Sequence, residues 1–444
     1  MKKLASIMLC LTMLGSLASC GTQSSTQPSP SAPASPTASA TASASASPAS
    51  NKKVTLSAMV TTRPTDGQDL WADFLPQLIN EKYPNITIQV DQLPTDQYKS
   101  TVKMKFASGQ GPDFFSWWAN RQAEPLVTAG YVKDLSSLPM MNNFYDDIRS
   151  AFTFDNKVYA VPLGMSFLTT WYNKDHFAKA GIDKLPESWD EFMAVCEKLS
   201  AAGYTPITAG DKDAFVIQFG VYQIGAAAIY GDDMAFDSKL YTGETKFTDA
   251  KWLDTVSKFA SLYQKGFVIK DSLGLSQQQS RQAFLDGKAS MIFDGSFGYK
   301  QLTVQGAENF EKGIFCLPGN DAGEKFVYNL TPAVGLFVNN NSEYPDEVMQ
   351  VVDYWFTEGS PLFEKWVAYN DNISSYKGVE DPRELITEYL QRYDGNPYLY
   401  NLNNAWPDGV SEVLTSKFQE VITGSSAPED VVKAMQSKFE QVSE

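Results

Sequence analysis

Trp117, Trp118, Asn120 and Arg121 fall within five residues, and Asn401, Asn403 and Asn404 lead from Tyr400 to Trp406. Flat indole faces beside amide and guanidinium groups do one kind of chemistry well. The indole covers an apolar C–H surface while the polar groups bond a rim of hydroxyls, the two halves of recognising a sugar ring. Trp171, in an apolar run that ends at Asn173, has a comparable setting. Trp71, Trp252, Trp355 and Trp366 instead fall on the apolar faces of helical patterns and read as core. Ordinary packing is the alternative for every loop tryptophan. Trp117 and Trp118, adjacent on a strand, point to opposite faces, which places one of them in the core.

Catalytic sets are sparse. His176 is the only histidine, in the first turn of a helix after Asn173, and reads as a solvated helix start rather than a catalytic base or ligand. No Cys-x-x-Cys, Gly-x-Gly-x-x-Gly or phosphate-cradling Gly-x-x-x-x-Gly-Lys-Ser/Thr occurs. Asp211-Lys212-Asp213 and Asp232-Asp233 lack the spacing and closing Glu of a calcium loop and read as solvated acids, so neither metal nor cofactor is expected. With 52 acidic residues, a carboxylate pair of glycosidase type can be drawn almost anywhere and signals nothing. A formal charge of −16 without a basic stripe argues against nucleic acid.

The elements that must position these groups alternate. Val54, Leu56, Ala58 and Val60 have the period of a half-buried strand. Asp66 or Asp69 then caps a helix with Leu70, Trp71, Phe74, Leu78 and Ile79 on its apolar face, stopped near Pro84. A strand over Ile86, Ile88 and Val90, a helix over 96–107 and a strand at Asp113-Phe114-Phe115 follow, the order of a largely parallel sheet. Further strands are expected at 158–162, 168–172 and 289–293. Helices are expected after Ser188 to about Ala202, over 249–265 and 276–286, and from Pro345 and Pro428. Cys196 and Cys316 read as two buried free thiols.

The start of the chain is an address. Lys2 and Lys3 precede an apolar run, Leu4 to Leu17, too short and mixed to span a bilayer. Leu17-Ala18-Ser19-Cys20-Gly21 resembles a bacterial lipobox, which implies cleavage after residue 19 and acylation of Cys20. Two acyl chains give stable membrane attachment. Residues 21–50 are almost wholly Ser, Thr, Ala and Pro without charge, a disordered spacer spanning on the order of 30 Å.

Several stretches together resemble the extracellular solute-binding protein family 1 of ABC importers, which includes maltose-binding protein. They are Phe74-Leu75-Pro76 through Lys82-Tyr83-Pro84-Asn85-Ile86, and Ala107-Ser108-Gly109-Gln110-Gly111-Pro112-Asp113-Phe114-Phe115. Ala129-Gly130-Tyr131-Val132-Lys133-Asp134-Leu135, Tyr159-Ala160-Val161-Pro162 and Trp171-Tyr172-Asn173-Lys174-Asp175 continue the series. Ala283-Phe284-Leu285-Asp286-Gly287-Lys288-Ala289-Ser290-Met291 completes it. The similarity runs in the family's order over nearly all of 51–444.

The resemblance implies an α/β, two-lobed fold. Each lobe has a central, mostly parallel sheet flanked by helices, and hinge crossovers join the lobes around a cleft. Lobe one is expected over 51–162 plus 317–358, and lobe two over 163–316 plus 359–444. It further implies a sugar contact at Trp117 with Asn120 and Arg121, with Trp118 also at the site, the maltose-binding member having an acid at the place of Asn120. Met165 and Ser166 line the cleft before Tyr172, and Asp211, Asp213 or Phe215 reach in from lobe two. Where the family often has Gly-x-Trp, this chain has Asp294-Gly295-Ser296-Phe297, which leaves Phe297 as a weaker stacker. Asn404 and Trp406 are expected to form the second-lobe platform. The implied protein is a monomeric, non-enzymatic sugar receptor anchored outside the cell membrane and docking on permease subunits. The rivals are an extracellular polysaccharide-processing enzyme and a surface adhesin.

Overall fold

The computed structural model describes residues 52–62, 68–303 and 310–443. The signal segment, Cys20, the 21–50 spacer and Asp66 lie outside them.

Strand β1 (Val54–Thr61) buries Val54, Leu56, Ala58 and Val60 as its alternation requires. Asp69 caps the next helical segment, its carboxylate accepting from the backbone N–H of Trp71 and Ala72. A π-helical turn at Leu70–Phe74 runs into α1 (Leu75–Lys82), which stops ahead of Pro84. Strand β2 (Ile86–Leu93), helix α2 (Thr95–Ala107) and strand β3 (Phe114–Trp117) follow, and both β2 and β3 pair with β1 in parallel. Next along the chain are β4 (Ala160–Pro162), β5 (Leu168–Asn173), α3 (Trp189–Ala201) and β6 (Ile207–Thr208). Then come α4 (Ile217–Ala228), α5 (Ala250–Gln264), α6 (Gln277–Leu285), β7 (Met291–Gly295) and β8 (Lys312–Phe315). The remaining principal elements are β9 (Gly335–Val338), α7 (Pro345–Trp355), α8 (Pro361–Tyr369), α9 (Val410–Thr423) and α10 (Pro428–Val442).

The two larger sheets among the described residues are ordered β2-β1-β3-β9-β4 and β8-β5-β7-β6. Both are mixed rather than mostly parallel. Strand β9 runs antiparallel to β3 and β4, and β5 is antiparallel to β7 and β8. Helical crossovers make β1, β2 and β3 parallel. Strand β9 instead enters the first sheet directly from a crossing segment, at the end where β3 and β4 leave it, so its direction is reversed.

Three stretches cross side by side between the two halves. Met165–Ser166 pairs antiparallel with Thr331–Pro332, and Met165 also bridges Ile373. Gly164 permits this approach, since a Cβ there would sit 2.5 Å from Cβ of Asn372. The crossings redraw the expected lobe limits. Leu362, Phe363 and Trp366 of α8, expected with the second lobe, pack in the first core around Trp71 and Trp355. Leu317 and Tyr328, expected with the first, belong to cores of the second sheet. The chain changes sides where the crossing stretches pair, not where a helix or strand ends.

Cys196 and Cys316 are buried free thiols, as expected, and burial pushes the Cys316 thiol up to about 12. His176 is not simply solvated. It stacks on Tyr204 at 4.0 Å with Nδ1 3.0 Å from Ser290 Oγ, and burial lowers its pKa.

Candidate ligand-binding cleft

Strand β1 ends at Thr61 and β3 at Trp117, and the residues just beyond them open on one cavity of about 440 Å³. A cleft at the carboxyl ends of such strands is where open α/β sheets bind ligands. Thr61, Thr62, Lys99, Trp118 and Gln122 face it from the first half, and Phe215, Gln218, Phe219, Tyr222 and Phe297 from the second. Ser166, Thr331, Pro332 and Asn372 of the crossing stretches also line it, with Asn401, Asn403 and Asn404 beside them. The volume lies within the usual range for small-molecule sites.

Five of the residues expected at the site line this cavity: Trp118, Ser166, Phe215, Phe297 and Asn404. Seven others do not, for physical reasons that differ. Trp117 is 1% exposed on a strand buried on both faces, and its indole N–H donates to the Gln122 carbonyl at 2.7 Å. It is the core member of the Trp117–Trp118 pair. Asn120 sits in the left-handed backbone region at φ 53° at the start of a 3-10 turn. Arg121 turns outward to Glu124 and lies over the Tyr241 ring. Met165 is taken up by the crossing ladder and packs against the core below.

Asp211, expected to be solvated or at the ligand, is buried behind the site. Tyr263 donates to its carboxylate at 3.0 Å, Gln419 donates to its backbone carbonyl, and burial raises its pKa to about 6. Asp294 likewise sits behind the wall, in a bidentate pair with Arg281 at 2.7 and 2.8 Å; the arginine, not the acid, lines the cavity. Trp406 is fully buried, enclosed by Tyr222, Phe247 and Trp252, and its indole N–H donates to Asp237 at 3.1 Å. Trp171 is equally buried.

Tyr222 and Phe219 are not marked as cleft residues by the sequence pattern, because α4 is buried on nearly every side and shows no amphipathic stripe. The spacing Phe215, Phe219, Tyr222 was the available signal, since steps of four and three residues share a helical face.

The sequence model for bacterial extracellular solute-binding proteins matches residues 62–360. The chain belongs to that family. The multiple sugar-binding protein of Streptococcus mutans is 24% identical over 313 residues, spanning 70% of this chain and 73% of its own length. A chitin oligosaccharide binding protein of known structure superposes with a TM-score of 0.78 at 22% identity, covering 88% of this chain and all but 1% of its own. RafE in complex with raffinose superposes at 0.72 with 20% identity, over 88% of this chain and 100% of its own.

In this solute-binding protein both cations at the cleft are matched within the protein. Lys99 pairs with Glu412 at 3.4 Å, and Arg281 with Asp294, so neither cation lining the cavity lacks a carboxylate partner. Asp371 is met by Lys300 at 3.3 Å. Lys103 also pairs with Asp408, so helix α2 on the first sheet is tied to the start of α9 in the second core. The two halves are drawn together across the cavity. Among the described residues no cluster of His, Cys, Asp and Glu could hold a metal ion.

Proposed function

We propose that this solute-binding protein captures an uncharged mono- or oligosaccharide between its halves and delivers it to the permease of an ABC importer. The cavity wall carries the reading. Trp118, Phe215, Phe219 and Phe297 offer aromatic faces, while Gln122, Gln218, Gln277 and four asparagines offer amides. Acidic sugars need an unmatched cation, and Lys99 and Arg281 are already paired. The sugars named for the relatives above agree with this class. Capture is by closure: sugar binds one half, and the three crossing stretches bend to bring the other over it. The chain acts as a monomer and does no chemistry on its ligand.

The same proposal places the protein outside the cell membrane, held by acylated Cys20 on the spacer over residues 21–50. Cys20→Ala is expected to release the protein from the membrane fraction; retention of that variant would refute the anchor.

The decisive experiment is a melting panel of neutral and acidic saccharides. A cognate neutral sugar at 100-fold excess over Kd is expected to stabilise the fold by about 2.7 kcal/mol and to be recovered unchanged. No shift with any sugar rejects the reading. Conversion of the sugar supports the enzyme rival instead.

A further inference from the structure

Most buried polar side-chain atoms in this protein have partners, as folded proteins require. Among the described residues, a few do not, and those of Tyr222 and Asn401 belong to residues that line the cleft. The other unpartnered atoms, such as those of Thr170, Asp211 and Trp252, belong to residues that do not line it.

Tyr222 is held rigidly. It sits on α4 one turn beyond Phe219, is 1% exposed, and has the edge of Trp406 against its ring at 5.7 Å and 88°. Burial, reinforced by nearby Glu412 and Asp237, raises its pKa well above the ordinary value and keeps it a phenol with a proton to donate. Asn401 begins the 3-10 turn Leu402–Ala405, where its backbone carbonyl accepts from the Asn404 N–H at 2.8 Å. The backbone is thereby fixed while the side-chain oxygen is left without a donor. Neighbouring Asn404 differs, because its amide already donates to Thr331 Oγ1 at 2.9 Å. The fold thus orients one buried donor and one buried acceptor and satisfies neither. A protein bears that cost where a ligand removes it.

We propose that Tyr222 Oη and Asn401 Oδ1 are the inner hydroxyl readers of the cleft, Tyr222 donating to an oxygen of the bound saccharide and Asn401 accepting from one of its hydroxyls. The assignment rests on the saccharide reading above. Its consequence is selectivity for a sugar bearing a hydroxyl at this depth, because a deoxy congener leaves a buried protein group unpaired.

Titration calorimetry on the full chain, with the tightest neutral sugar and its mono-deoxy congeners, tests this. Tyr222→Phe and Asn401→Leu are each expected to weaken binding about tenfold or more, equivalent to about 1.4 kcal/mol. One deoxy congener is expected to bind the wild type as weakly as the parent sugar binds the variant, with no further loss on the variant. The melting temperature of unliganded Tyr222→Phe is expected to stay level or rise, since the deleted hydroxyl had no partner. If both variants bind with wild-type Kd, the pair is overturned and the saccharide reading stands. A drop in unliganded melting that matches the affinity loss assigns the hydroxyl to the fold and overturns it too. If no sugar binds the wild type, both fall together.

Discussion

The edge of Trp406 meets the ring of Tyr222 nearly at a right angle, and Trp406 is fully buried while Tyr222 lines the cleft. The tryptophan that looks in sequence like a sugar platform is the buttress of a residue that touches the site. Trp406→Ala is therefore expected to act through the fold, destabilising it by about 3–5 kcal/mol as other large-to-small core changes do. Urea unfolding measures it, and a stable Trp406→Ala that has only lost sugar would contradict the placement.

Trp118 behaves oppositely. It is half-buried at the cleft wall, edge-on to Trp117 at 5.3 Å. Trp118→Ala is expected to weaken sugar binding about tenfold or more with little change in melting, whereas Trp117→Ala lowers melting first. Comparing Kd and melting temperature for the two variants separates platform from core.

The Arg281–Asp294 pair is 6% and 1% exposed at its side chains. Removing one partner strands a buried charge, so Asp294→Ala is expected to cost about 3–5 kcal/mol of stability. The double change Arg281→Met with Asp294→Leu is expected to recover much of that loss while leaving the cleft without its guanidinium. A double variant no more stable than Asp294→Ala would rule out the stranded charge as the cause.

Asp237 accepts from Tyr230 at 2.7 Å and Trp406 at 3.1 Å through the same oxygen, and burial raises its pKa to about 6 from the ordinary 3.8. The folded state thus holds this proton more tightly than the unfolded state. Its contribution to stability is greatest below pH 3.8 and is lost as pH rises through about 6, on the order of 3 kcal/mol in total. Asp237→Asn keeps the accepting oxygen and has no proton to lose. Melting curves between pH 4 and 7 are expected to show a shallower decline for the variant; parallel curves would refute the assignment.

Lys103 with Asp408 and Lys99 with Glu412 tie α2 to the start of α9 across the cleft. Exposed pairs of this kind contribute about 0.2–1 kcal/mol each and are screened by salt. Lys103→Ala is expected to weaken sugar binding a few-fold at low salt and hardly at all at about 1 M salt. Equal effects at both ionic strengths would argue against closure through this contact.

Helix caps are legible in the sequence because they are local. Asp69, Asn173 and Ser188 cap their helices, each side chain accepting a backbone N–H within three residues, a relation set by neighbours in sequence. Pro345 and Pro428 open α7 and α10 for the same reason. Helix α4 is hard to recognise in the sequence because enclosure on nearly all sides removes the stripe that marks a surface helix. The direction of β9 is not legible in the sequence because it depends on a chain arriving from the other half of the molecule.

By itself the sequence determined the alternating elements, the family and the aromatic-and-amide character of the candidate cleft, all carried by residue type and short spacing. Only the tertiary structure decided which aromatics face the cleft. Trp117 and Trp118 are neighbours in sequence, and the pleat sends one inward and the other to the cleft. Trp406 and Tyr222 are far apart in sequence, and packing between α4 and the turn at Leu402–Ala405 makes one the support of the other. Exposure at a cleft is a property of the packed elements around a side chain, and residue type does not contain it.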